Sequence, residues 1–129
     1  MILSRVSQPM KFRRIATWLA LMLLCGAAHA FPTRPVTMIV PQPPGGANDV
    51  LVRTIALKLQ EIWGQPVVVD YRPGGGVAVG TQALARSAPD GHTIGLITSA
   101  HTINANVRKD LPYDSVKDFA PVARIGHYV

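Results

Sequence analysis

Pro41-Gln42-Pro43-Pro44-Gly45-Gly46-Ala47-Asn48-Asp49 is the stretch whose reading decides the fold. Val36-Thr37-Met38-Ile39-Val40 precedes it and is nearly all apolar, the pattern of a strand covered on both faces in a parallel sheet. Pro43 and Pro44 fix φ and remove two backbone donors, so the turn is stiff. Gly45 and Gly46 reach backbone conformations closed to other residues and let the main chain lie against a ligand. Asn48 and Asp49 carry N-cap chemistry for a helix that starts there. Strand, rigid turn, bare backbone and helix N-terminus together make a small anion site, because the first helical N–H groups lack internal partners and the dipole is positive at that end. No lysine or arginine lies inside the loop, so amides would hold the anion. The alternative is a strand-to-helix turn with no ligand, and spacing does not choose between them.

Outward from the loop, residues 49–63 have helical period. Leu51, Val52, Ile55, Leu59, Ile62 and Trp63 share one arc, while Arg53, Thr54, Lys58, Gln60 and Glu61 share the other. Gly64 is placed to cap the helix, and Pro66 leads into Val67-Val68-Val69, a second buried strand. This is a βαβ unit. A second glycine loop, Arg72-Pro73-Gly74-Gly75-Gly76-Val77, precedes a helix over residues 81–87. It suggests a dinucleotide, but a G-x-G-x-x-G register would need glycine at Val79 or would put Val77 in the middle place. No G-x-x-x-x-G-K-[ST] occurs either. The loop reads instead as a flexible entry that lets a helix start close to the sheet. After the turn Ala88-Pro89-Asp90-Gly91, residues 92–97 are the third strand. Strands alternating with helices indicate an α/β fold with a parallel, doubly wound sheet.

In such sheets ligands bind beyond the carboxyl ends of the strands. The first loop and Thr98-Ser99-Ala100-His101-Thr102 both fall there and are expected to face one crevice. Ser99 and Thr102 offer hydroxyl donors, or they cap a short helix over residues 103–107. His101 stands alone, as ligand contact or structural hydrogen-bonder. Asp110, Asp114 and Asp118 flank Leu111-Pro112-Tyr113 and read as caps and solvated charges. Residues 121–125 read as one more apolar strand. No G-x-S-x-G, H-E-x-x-H or nucleophile–base pair occurs, so no enzyme, cofactor or metal site is expected.

The first thirty residues lie outside this pattern. Arg5, Lys11, Arg13 and Arg14 form a basic segment, residues 15–24 are apolar except for Thr17, and Ala28-His29-Ala30 has the small-x-small form of a cleavage site. This reads as a secretory signal peptide, with the mature chain beginning at Phe31. The apolar run is too short to span a membrane. Cys25 follows a bulky leucine rather than the small residue of a lipid-attachment site. The chain has 13 basic and 7 acidic residues, net +6. Four of the basic ones lie in the leader, leaving nine against seven, a net +2, with no basic stripe for nucleic acid. The lone cysteine is also in the leader, so the remaining chain has no disulfide or thiolate chemistry.

Five motifs in order carry a resemblance. They are Pro43-Pro44-Gly45-Gly46-Ala47-Asn48-Asp49, Gly64-Gln65-Pro66-Val67-Val68-Val69, Arg72-Pro73-Gly74-Gly75-Gly76, Ala88-Pro89-Asp90-Gly91 and the run from Leu111-Pro112-Tyr113-Asp114 to Asp118-Phe119-Ala120-Pro121-Val122. Through them the chain resembles the Bug family, the solute-binding receptors of tripartite tricarboxylate transporters. The resemblance implies a non-enzymatic periplasmic receptor of two α/β lobes, of the type II periplasmic-binding-protein kind. Its lobes close on a small carboxylated solute (a di- or tricarboxylate, amino acid or aromatic acid) and hand it to membrane components of the transporter. It further implies ligand contacts at Gly45, Gly46, Ala47, Asn48 and Asp49, and at Ser99, Ala100, His101 and Thr102. Val77 stands where a glycine is common in the family, and His92 where a tyrosine is common. Family members are at least about twice as long, so residues 31–129 are expected to be an incomplete first lobe, with the second lobe absent. The alternatives are a nucleotide- or phosphate-binding α/β enzyme domain and a non-binding truncated remnant.

Overall fold

The computed structural model describes residues 31–126. The expected signal peptide and its cleavage site lie outside the described residues. Six elements follow one another: β1 (Val36–Val40), α1 (Ala47–Trp63), β2 (Val67–Tyr71), α2 (Ala78–Ala85), β3 (Thr93–Gly95) and α3 (Ser99–Val107). All three strands are parallel, in the order β2-β1-β3. Val36 pairs with Val67 and Val40 with Tyr71 on one side of β1, and Thr37 pairs with Thr93 on the other.

Alternation along β1 decides which helix covers which face. Met38 and Val40 pack with Val52 of α1, with Ile55, Leu59, Val67, Val69, Ile94 and Leu96 around them. Ile39 points to the opposite face, beside Gly95, and there Leu84 of α2 lies so close that a Cβ on Gly95 would sit 2.5 Å from it. The centre strand is therefore covered on both sides, and each fully buried apolar side chain such as Val40 or Val52 contributes about 1.5–3 kcal/mol. Gly80 has the same role against main chain. A Cβ there would lie 2.7 Å from Pro41 Cα and 2.7 Å from the Arg72 carbonyl oxygen. Helix α2 thus rests directly on the chain leaving β1 and β2, the close approach expected of the helix after the second glycine loop.

Several sequence expectations need correction. The second strand is half-exposed rather than buried: β2 is an edge, and Val68 is 53% exposed on the face α1 does not cover. On α1, Ala56 is buried while Ile62 is 75% exposed and stands outside the cluster that Ile55 and Leu59 join around Met38, Val40 and Val52. Strand β3 is three residues rather than six, although the Leu96 N–H still reaches the Ile39 carbonyl at 2.9 Å. Helix α2 begins three residues before the expected residue 81, and α3 four residues before residue 103. Residues 121–125 form no strand: none pairs with another described residue, and Val122 is 88% exposed. Gly64 behaves as read, capping α1 at φ 64° with its N–H on the Gln60 carbonyl.

Beyond α3 the chain is fastened by one aromatic cluster. The His101 ring stacks on Tyr113 and meets Phe119 edge-on, with Nε2 3.0 Å from the Ser115 carbonyl oxygen. Asp114 accepts the N–H groups of Val116 and Lys117, and Asp118 accepts that of Asp114, the capping roles read for them. These backbone donors hold the Asp114 carboxyl below the usual carboxylate range.

Candidate functional site

Because the strands are parallel, all three strand-to-helix connections emerge at one edge of the sheet. Residues 41–46 leave β1, residues 72–77 leave β2 and residues 96–98 leave β3. The two stretches singled out in the sequence, Gly45 to Asp49 and Ser99 to Thr102, are therefore brought to the same edge.

At the first connection the N-cap is Gly46, in extended conformation (φ −92°, ψ 178°), with no side-chain cap. Asn48 and Asp49 are inside the helix, so neither is the N-cap. Their side chains brace the turn instead. Asn48 Nδ2 donates to Gln42 Oε1 across the loop. Asp49 Oδ2 accepts the Gly45 N–H at 2.8 Å, while Oδ1 accepts Arg53 Nε at 2.7 Å and the Tyr71 hydroxyl. The Tyr71 hydrogen bond, then the Gly45 amide and Arg53, hold the Asp49 carboxyl below the usual carboxylate range, and the same bond pushes the Tyr71 phenol up. Among the described residues the N–H groups of Gly46 and Ala47 have no hydrogen-bond partner. Two amides at the positive end of a 17-residue helix are thus left unspent.

The third connection repeats the arrangement. Thr98 is the N-cap of α3 without a side-chain bond, and only the third residue of the helix, His101, turns its N–H back, to the Thr98 carbonyl. The Ser99 and Ala100 amides have no partner among the described residues. Ser99 and Thr102 do not cap a later helix, as one alternative had it; both lie within α3 and are exposed. His101 is buried, at 8% exposure, against Tyr113 and Phe119.

The second connection is different. Gly74, Gly75, Gly76 and Val77 all have positive φ, and the turn they make folds its own carbonyls under α2. The Ala78 N–H bonds the Gly75 carbonyl and the Val79 N–H the Gly74 carbonyl. From the far side, Arg108 Nη1 donates to the Gly75 carbonyl at 2.9 Å and Asn104 Nδ2 to that of Gly76. The first two amides of α2 are spent. This removes the feature that a phosphate-binding loop needs. Val77, at φ 74°, occupies a conformation that suits glycine.

A family described as the tripartite tricarboxylate transporter family receptor matches residues 51–129. The chain belongs to that receptor family. Protein BugT of Bordetella pertussis is 43% identical over 102 residues, spanning 78% of this chain and 31% of BugT. Among solved structures, MatC of Rhodopseudomonas palustris with bound malate is 34% identical at a TM-score of 0.66, over 71% of this chain and 32% of that one. A second R. palustris protein, with adipate, is 37% identical at a TM-score of 0.62, over 66% and 29%. The chain spans about a third of the length of the curated relatives it matches. The family match begins at Leu51, just after the first connection.

Sequence reasoning missed Gln42, Arg53 and Tyr71 as braces of the first connection. The Asp49–Arg53 spacing of four was a visible signal for one of them. Tyr71 had none, since it reaches Asp49 only through the pairing of β2 with β1.

Proposed function

We propose that this chain is receptor machinery for a small carboxylated solute, with the solute carboxylate held by backbone amides at the sheet edge. The observation that carries this is the pair of unspent first-turn amides on α1, at Gly46 and Ala47, matched by Ser99 and Ala100 on α3. Amides at a helix N-terminus supply directed donors and a positive dipole without a mobile cation, which suits an anion that must be released again. The malate and adipate bound by two relatives are small dicarboxylates, the chemistry such a site would take.

In this reading Gly45, Gly46, Ala47, Asn48 and Asp49 form one wall, with Ser99, Ala100, His101 and Thr102 the other. Asn48 and Asp49 shape the loop rather than touch the solute. His101 supports α3 from below. The protein acts by binding and carries out no reaction. It is exported by cleavage after Ala30, works in the periplasm and delivers solute to the membrane components of a tripartite transporter.

Ala47→Pro is the direct test. Proline is well accommodated at the first helical position, and the extended Gly46 before it suits a following proline. The substitution deletes one unspent donor and leaves the fold intact. Titration with malate by calorimetry should show affinity reduced about tenfold with an unchanged urea midpoint. Equal affinity in the two proteins would exclude this amide as a solute donor.

A further inference from the structure

The Gly45 amide, which the sequence placed in the ligand wall, already has an anion on it. Asp49 sits four residues on, with its side chain 13% exposed, and its carboxylate is met from three directions. The Gly45 N–H and Arg53 Nε take one oxygen each, and the Tyr71 hydroxyl joins Arg53 on Oδ1. The Arg53 guanidinium also lies 5.5 Å from the centre of the Tyr71 ring, so the two donors support each other. Tyr71 ends β2, in register with Val40 at the end of β1, and the Arg72 N–H bonds the Val40 carbonyl at 2.9 Å. Its hydroxyl is therefore fixed to the sheet and not to the loop.

We infer that Tyr71, supported by Arg53, is a positioning residue of the first connection: it holds the Asp49 carboxylate on the Gly45 amide, withdraws that amide from solute and turns Gly46 and Ala47 outward as the donors that remain. This rests on the carboxylate-receptor reading. An aspartate free to rotate could swing toward the same amides a solute carboxylate needs, and would repel the solute from there. Anchored by two donors from outside the loop, its charge is compensated and its place constant. The loop then reaches the solute already shaped, so little ordering is left to be done on binding. Specificity follows as well, because a two-amide site takes one carboxylate end rather than a larger oxyanion that needs three donors.

The experiment uses the whole chain and follows amide hydrogen exchange of Gly45, Gly46 and Ala47 by NMR, with and without malate. Gly45 should exchange more slowly than Gly46 and Ala47. Tyr71→Phe keeps the ring and deletes only the hydroxyl, and should speed Gly45 exchange about tenfold. Asp49→Asn should do the same, and the double variant should go no further, because Tyr71 acts through Asp49. Arg53→Gln, on an exposed side chain, gives a second variant with a smaller change of the same sign. Unaltered Gly45 exchange in Tyr71→Phe, or independent effects that multiply in the double variant, would overturn the assignment. In the parent protein, malate should shift the Gly46 and Ala47 resonances and leave Gly45 in place. If malate moves none of the three, the receptor reading fails, while Gly45 exchange alone still decides what Tyr71 does.

Discussion

Two glycine turns leave the same edge of the same sheet, and they treat their helices in opposite ways. The turn after β1 has two glycines and ends on an extended residue, so the amides of Gly46 and Ala47 face away from any internal acceptor. The turn after β2 has three glycines and a valine, all at positive φ, and curls its carbonyls back onto the Ala78 and Val79 amides. Glycine content would rank the second as the better anion loop. The conformation of the residue just before the helix ranks them the other way. A helix N-terminus is available to a ligand when the cap is extended, and it is closed when a left-handed turn precedes it.

The largest way to break the comparison is to remove the support both turns share. Gly80→Val would push a side chain into the Pro41 and Arg72 main chain, neither of which can rotate away. We expect a loss of at least about 3 kcal/mol in urea unfolding, or no folded protein at all. Next is a pair of prolines at equivalent helix positions. Ala78→Pro deletes an N–H that is bonded to Gly75 and follows a residue at φ 74°, so it should cost about 2 kcal/mol. Ala47→Pro should cost nothing measurable in the same assay, and equal costs would erase the distinction drawn between the two turns.

Gly46→Val separates binding from folding. At φ −92° with no atom within 4 Å of an added Cβ, the substitution is strain-free in the protein. Stability should stay within about 0.5 kcal/mol, while malate binding is lost because the side chain fills the approach path. A variant that still bound malate would show that the solute does not approach over Gly46. Val77→Gly tests the conformation of the second turn itself. Relief of a positive φ and loss of a buried side chain oppose each other, so the net change should lie within about 1 kcal/mol, against about 2 for Val52→Ala in the core.

Acid gives an independent axis. The Asp49 carboxyl is held low by Tyr71, Gly45 and Arg53, so it is a more acidic group in the folded chain than in the unfolded one. Its contribution to stability is full above about pH 4 and is lost as pH falls through the lowered folded value. Asp49→Asn should therefore lower stability across the neutral range and flatten part of the acid limb, so that the curves of variant and parent converge at low pH. A parallel displacement of the whole curve would assign the loss to packing instead.

The sequence was most legible where one local rule had no competitor. Val36–Val40 is a strand with both faces apolar, and Gly64 ends α1 at a left-handed position. The α/β class followed from alternating periods alone. Legibility failed where a side chain had two possible customers. Asn48 and Asp49 look like caps because their types cap helices, yet one bonds Gln42 and the other is drawn inward by Tyr71 across 22 residues of chain. Val67-Val68-Val69 reads as buried, but its place at the sheet edge is a fact of strand order, and no triplet encodes that. Residues 121–125 have strand composition without a described strand beside them, and composition cannot supply one.

Helix α3 joins two of the three connections, since it begins at the third and is bonded to the second. Its first residues, Ser99 and Ala100, lie at the edge where a solute carboxylate would sit, and Asn104 and Arg108 hold the carbonyls of Gly76 and Gly75. Nine residues make a rod about 13 Å long, too short to bend appreciably. Tilting one end therefore moves the other. In mechanical terms α3 is a lever with the second glycine turn as its load, so a solute bound at Ser99 and Ala100 would be felt by a turn whose own amides are closed to it.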